Sequence, residues 1–270
     1  MNAIIVVCFF TACIHIFETL ALGMRYAGAK TKQVATSISF VNTSFLIARL
    51  SNMFQAPLLG ALVDQSIKGA STAMLMDSFR LIIFSAFLGN LIGAILLPTL
   101  VYAFEKAILE FSQKGSMLKI LLKLLSPVTW WKLIKVFKLP SLRMLKNTSF
   151  KNIPKGFIYL NALLVSIYAV GVLSSLMAGA FLPDLRSTAV QLSGIVNGMA
   201  TILLTLFVDP TGSLITDQAV HGKRPLSDVK SAIIALTISR IIGTFILAQI
   251  IFGPAVQYIM QVTQWVAGII

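Results

Sequence analysis

The stretch SISFVNTSFLIARLSNMFQAPLLGALVD, residues 37–64, decides what kind of protein this is. It is long and apolar enough to cross a bilayer, for which about 20 residues suffice, yet it carries Arg49 near its middle. An arginine at the centre of a membrane helix costs about 2.5–3.5 kcal/mol on insertion scales, so it normally faces protein or water and has a partner. Ser37, Ser39, Asn42, Thr43, Ser44, Ser51, Asn52 and Gln55 lie around it and predict a polar face running the length of the segment. That face reads as the lining of a path, with Arg49, Asn42, Asn52 and Gln55 as its candidate substrate-binding residues.

The rest of the chain fits that beginning. Of 270 residues 57% are hydrophobic and only 11% charged, and the mean hydropathy of +0.89 points to an all-α polytopic membrane protein rather than a soluble domain. No alternation over segments of about ten residues suggests a β-barrel. The formal net charge is +13, but Lys and Arg cluster between apolar spans, so anionic membrane lipids suit them better than nucleic acid. Cys8 and Cys13 sit five apart in one apolar helix, farther than the roughly 7 Å between Cα atoms that a disulfide tolerates, and read as packing residues.

Six apolar runs are expected to span: residues 2–24, 37–64, 79–104, 157–182, 191–216 and a last one from 230 to 270, interrupted at Gly253-Pro254. The first has no basic leader and is expected to be retained as a helix. Arg25, Lys30 and Lys32 then read as a short basic loop. Residues 105–155 hold 11 of the 22 Lys and Arg. Within them Lys132, Lys135 and Lys138 share one arc of a helical wheel, opposite Trp130, Leu133, Ile134 and Phe137, and Lys119 and Lys123 also fall on one face. This pattern predicts helices lying in the headgroup layer, broken at Pro127 and Pro140. The chain therefore divides into a first membrane unit, 1–104, a basic interfacial insert, 105–155, and a second membrane unit, 156–270.

The two membrane units echo each other. SFVN ending at Asn42 resembles SGIVN ending at Asn197, and Pro57, Gly60, Leu62 and Asp64 resemble Pro210, Ser213, Ile215 and Asp217. Three spans per unit, an odd number, gives the halves opposite topology: six transmembrane helices arranged as two inverted three-helix repeats. The basic loops all fall on one side, which the positive-inside rule makes cytoplasmic and which places both termini outside. Inverted repeats with interrupted helices are a transporter architecture, and Pro57 and Pro210 mark the expected interruptions.

Charge inside the spans locates the chemistry. His15 and Glu18 are three apart and share a helix face, in a position to relay a proton; with His221 in a loop, ligands are too few for a metal. Glu18, Asp209 and Arg240 fall nearly level, so Arg240 is expected in a buried pair with Asp209 or Glu18, or as a further substrate contact. Arg49 lies about 22 Å from the start of its span, with no carboxylate at its depth. No G-x-x-x-x-G-K-[ST] motif is present, so nothing suggests direct use of ATP or another cofactor.

The run His15-Ile16-Phe17-Glu18-Thr19-Leu20, then Arg25-Tyr26-Ala27-Gly28, then Ala48-Arg49-Leu50-Ser51-Asn52-Met53-Phe54-Gln55-Ala56-Pro57-Leu58-Leu59-Gly60, resembles the Amj family of bacterial lipid II flippases, the alternate to MurJ. Val208-Asp209-Pro210 and Ser239-Arg240 are consistent with it. The resemblance implies a plasma-membrane transporter, not an enzyme, that moves undecaprenyl-diphosphate-linked glycopeptide to the outer leaflet for peptidoglycan synthesis. Two other readings remain at this stage: an integral-membrane prenyl-pyrophosphate phosphatase, and an ion-coupled transporter of another anionic substrate. A phosphatase would need a nucleophile or metal beside its acid and base.

Overall fold

The computed structural model describes residues 2–69, 71–124, 126–141 and 148–269. Among these there are helices and turns and no strand. A backbone crossing hydrocarbon must satisfy its own hydrogen bonds, and a helix does so within one segment. Six helices are long and apolar enough to cross a membrane: α1 (Asn2–Thr31), α2 (Val34–Ile67), α3 (Thr72–Lys114), α6 (Lys155–Phe181), α7 (Pro183–Val220) and α8 (Leu226–Ala267). Two short helices, α4 (Met117–Leu124) and α5 (Pro127–Lys135), stand between α3 and α6.

Several helix ends differ from the sequence expectation. α1 continues through Arg25 and Lys30, which therefore lie on a helix rather than in a loop. It closes at Lys32, whose φ of 58° is left-handed, with the Gln33 amide reaching back 2.9 Å to the Gly28 carbonyl, a Schellman closure. α3 starts where the Ser71 hydroxyl accepts from the Ala73 amide. It runs unbroken past residue 104 to stop at Gly115, φ 64°, a length of about 64 Å at 1.5 Å per residue.

The prolines also behave unevenly. α2 passes through Pro57 and α8 through Pro254 without a break, so Pro57 is not an interruption and Gly253-Pro254 does not end the sixth span. Neighbouring helices can absorb one missing backbone donor. The irregular turns are instead two π-segments, Leu204–Val208 and Gly243–Leu247. The first precedes Asp209-Pro210: the proline ring would collide with the carbonyl four residues back, and widening one turn relieves it. At the second, the Thr244 hydroxyl donates to the Arg240 carbonyl at 2.9 Å and competes with the helix's own bond.

α1 packs against α2 and α3, and α6 against α7 and α8, so each half is a three-helix set around its first helix. Two close approaches of backbone to backbone use glycine. A Cβ on Gly89 of α3 would stand 2.4 Å from the Ala12 carbonyl oxygen of α1, and one on Gly243 of α8 would stand 2.6 Å from the Ala162 carbonyl oxygen of α6. Backbones approach this closely in membranes because small residues, not large apolar ones, give the packing gain. The sets meet chiefly through α3 with α8, and also through α1 with α8 and α7 and through α2 and α3 with α6. α8 is the best buried span, 61% of its most apolar window, and α7 the least, 6%.

The insert is fastened to α3. Lys123 Nζ lies 2.6 Å from Glu110 Oε2, and the Lys138 amide donates to Thr99 Oγ1 at 2.9 Å. α5 leaves Val128, Trp131 and Ile134 exposed beside Lys132 and Lys135. Residues 142–147, with Arg143 and Lys146, lie outside the described residues.

Candidate functional site

At the centre of the bundle an ion pair joins the two sets: Arg240 Nη2 of α8 donates to Glu18 Oε2 of α1. Their depths allow it. Glu18 is about 20 Å from the Thr31 end of α1 and Arg240 about 21 Å from the Leu226 end of α8. Asn90 of α3 completes the knot. Its Oδ1 accepts from Thr19 Oγ1 at 2.8 Å and from Arg240 Nε at 3.3 Å, while its Nδ2 donates to Thr244 Oγ1 at 3.1 Å. Thr19, Asn90 and Thr244 are fully buried. Each would be costly alone in hydrocarbon; together they satisfy one another.

Of the two partners expected for Arg240, Asp209 is therefore not the one. Asp209 lies closer to the end of α7, where Arg25 Nη2 meets its Oδ1 at 2.9 Å. Arg25 reaches it only because α1 extends past residue 24. α7 is tied again near its other end, where Arg186 Nη1 donates to Asp64 Oδ1 of α2. This loosely packed helix is thus held by one ion pair toward each end.

Between α1, α2, α3, α6 and α7 lies a cavity of about 60 Å³ whose polar lining includes Thr11, His15, Asn52, Gln55, Tyr168 and Asn197. Thr11 Oγ1 donates to Gln55 Oε1 at 2.8 Å and Gln55 Nε2 to Asn52 Oδ1 at 3.0 Å. The structure thus gathers Asn52 and Gln55 but not Asn42 or Arg49, which are exposed on α2 outside the cavity lining. The single polar face expected of α2 is two faces. Ser37, Ser44, Ser51 and Gln55 are buried, and Ser37 and Ser51 return their hydroxyls to their own backbone at 2.7 and 3.1 Å. Ser39, Asn42, Arg49 and Asn52 look outward. Small serines here serve close helix packing.

Arg49 stands apart electrostatically. Among the described arginines it alone makes no ion pair or hydrogen bond: Arg25, Arg80, Arg186, Arg224 and Arg240 each have one. It lies within electrostatic range of Tyr168 on α6, which also feels Glu18 and Arg240. With the other mid-membrane charges matched, the exposed face of α2 carries one uncompensated cation near the middle of its span, a natural place for an anion. Sequence reasoning missed Asn90 and Tyr168, which are single polar residues inside apolar runs, and noted Asn197 only as the repeat counterpart of Asn42. The signal of the first two was that isolation, sharpened at Asn90 by the flanking Gly89 and Gly93.

The comparisons with known proteins agree with one another. A family model described as "Amj: Alternate to MurJ" matches residues 10–263. The curated "Lipid II flippase Amj" of Bacillus subtilis (strain 168) is 38% identical over 257 residues, which cover 95% of this chain and 95% of that protein. No solved structure matches the chain. A family match running from the first span to the last, together with six membrane-length helices, makes this chain a multi-pass helical membrane protein of the Amj family.

Proposed function

We propose that the chain is a lipid II flippase of the bacterial plasma membrane, carrying the lipid-linked diphosphate glycopeptide from the inner to the outer leaflet for peptidoglycan synthesis. The full-length similarity to a curated lipid II flippase supports the substrate. The structural observation that carries the reading is Arg49, a mid-span guanidinium without a protein partner. A diphosphate offers paired oxygens to the planar fork of an arginine, which stays charged at any physiological pH. Asn42 and Asn52 on the same exposed face, with Gln55 behind Asn52, supply further donors. Arg240, already engaged by Glu18, holds the two sets together rather than touching substrate.

The flanking ion pairs fit alternating access. With the insert and the basic loops on the cytoplasmic side and both termini outside, Arg25–Asp209 would close the inner approach between α1 and α7 and Asp64–Arg186 the outer approach between α2 and α7. Release of one pair at a time would open a path to each leaflet in turn while the polyprenyl tail stays in lipid. The glycine crossings, Gly89 on Ala12 and Gly243 on Ala162, fall at corresponding places in the two sets and support their relation as inverted repeats. The insert, with exposed lysines beside exposed apolar side chains, would rest on anionic lipid headgroups.

The test is reconstitution. Purified protein in vesicles should transfer fluorescent lipid II between leaflets, and failure to do so in any lipid mixture would remove the flippase reading. In intact cells, a cysteine beside Gly69 should react with an impermeant thiol reagent and one in the insert should not; the reverse pattern overturns the orientation.

A further inference from the structure

We propose that His15 is a proton-binding site whose protonation competes with Arg240 for Glu18, so that proton binding loosens the tie between the two three-helix sets. The coupling to transport rests on the flippase reading; proton binding itself does not.

His15 is 3% exposed, and its Nδ1 is buried without a hydrogen-bond partner. That atom lies 3.7 Å from Glu18 Oε2, too far for a hydrogen bond and near enough for a strong charge interaction. The same oxygen, Glu18 Oε2, accepts from Arg240. One carboxylate oxygen therefore faces one permanent cation and one group that becomes a cation on taking up a proton. A nitrogen left without a protein partner at this position is free to take up a proton. With the ring hydrogen on Nε2, Nδ1 offers its lone pair; a hydronium ion gives up its proton to form the N–H bond and leaves as water, and the imidazolium directs that N–H toward Glu18.

The proton has a way in. The cavity beside His15, at about 60 Å³, exceeds the roughly 10–15 Å³ that one water requires, and Thr11, Gln55, Asn52 and Asn197 give water its partners. Asn197 Oδ1 is itself buried and unpartnered. The lining residues of α1 and α2 run from His15 toward Thr11 and from Asn52 toward Leu59, so the cavity points toward the end of the bundle that carries Asp64 and Arg186. The titratable and charged groups that face His15 are Glu18 from its own helix and Arg240 from α8. Tyr168 of α6 lines the cavity with it, and Arg49 of α2 lies beyond Tyr168. α3 and α7 contribute the neutral Asn90 and Asn197 nearby.

Protonation would place two cations on one carboxylate. Arg240 would then keep Asn90 Oδ1, at 3.3 Å, while giving up part of its hold on Glu18. Because that hold joins α1 to α8, the event is read out between the two sets.

The chain has two histidines, which makes the site directly observable. Full-length His221→Gln protein, labelled with ¹⁵N-histidine in lipid nanodiscs, has one imidazole, expected to take up a proton within about pH 4–8 and to lose that uptake when Glu18→Gln removes the carboxylate. An imidazole that keeps one state across the window, or that titrates unchanged without Glu18, overturns the proposal. Coupling is read in vesicles at zero membrane potential as the ratio of lipid II transfer with an imposed pH difference, acidic on the side of the N-terminus, to transfer without it. The ratio should be about fivefold for the unmodified protein and one for His15→Gln, whatever the basal rate. A ratio of one in the unmodified protein while lipid II still moves, or an unchanged ratio in His15→Gln, overturns the coupling. Absence of lipid II transfer under every gradient removes the flippase reading instead, and the imidazole measurement then decides proton binding alone.

Discussion

Arg240 and Arg49 are the same residue type at nearly the same distance from their helix ends, and the protein treats them in opposite ways. Arg240 sits on the most buried span, bonded to Glu18 and Asn90 and 11% exposed. Arg49 sits on a span with less than half that burial, exposed, with no bond to the protein. Insertion penalises both alike. In the first case the fold recovers the cost through internal pairing, so the arginine belongs to the architecture. In the second no bond within the described residues recovers it, which is the ground for proposing a partner from outside the chain.

That contrast is open to direct attack. The largest effect is expected at the unpartnered residue: Arg49→Ala should abolish lipid II export in cells lacking other flippases, with abundance and thermal stability near those of the parent. Arg49→Lys should retain part of the activity, since an ammonium keeps the charge and loses the paired geometry. Full export by Arg49→Ala would erase the distinction. Arg240→Met should instead lower folded yield, since breaking a buried pair leaves a lone charge at about 3–5 kcal/mol. Glu18→Gln combined with Arg240→Met should recover much of the loss, and simple additivity of the two would deny the pairing.

Two smaller effects sharpen the picture at the ends of α7. Arg25→Ala and Asp209→Ala should each cost about 1 kcal/mol or less, because the pair is partly exposed, and the double substitution should cost no more than either alone. Removal of Asp64 or Arg186 should be smaller still in stability, seen as a slight fall in melting temperature. Its clearer trace should be faster labelling of a cysteine placed at Asn197, as the approach from that end opens.

The spans could be read from the sequence because they rest on a strong penalty, apolar length against exposed backbone, and a second one, charge in hydrocarbon, is what singles out Arg49 as a candidate. The pairing of Arg240 was narrowed to two acids by depth alone, and the choice between them fell to packing, which depth does not contain. Arg25 was hidden by a helix boundary. Composition ends the apolar run at Met24, but Ala27 and Ala29 let the helix continue, and a Lys32 turn stops it. Proline was an uneven guide. It marks the π-segment before Pro210 and nothing at Pro57, while the second π-segment follows from a threonine hydroxyl and a glycine contact that no local rule announces. The polar face of α2 was overread, since a helical serine signals close packing as often as a wet surface.

The scant burial of α7 has a consequence for the medium around it. A span with 6% of its apolar window covered by protein is solvated chiefly by lipid tails, so its tilt answers to hydrophobic mismatch more than to side-chain packing. Its 38 residues correspond to about 57 Å of helix, well beyond a hydrocarbon layer of about 30 Å. Thicker bilayers would draw this helix upright and thinner ones would lay it over. Acyl-chain length should therefore set how far its two ends stand from Arg25 and Asp64, and the rate of the protein should follow membrane thickness even where every residue is unchanged.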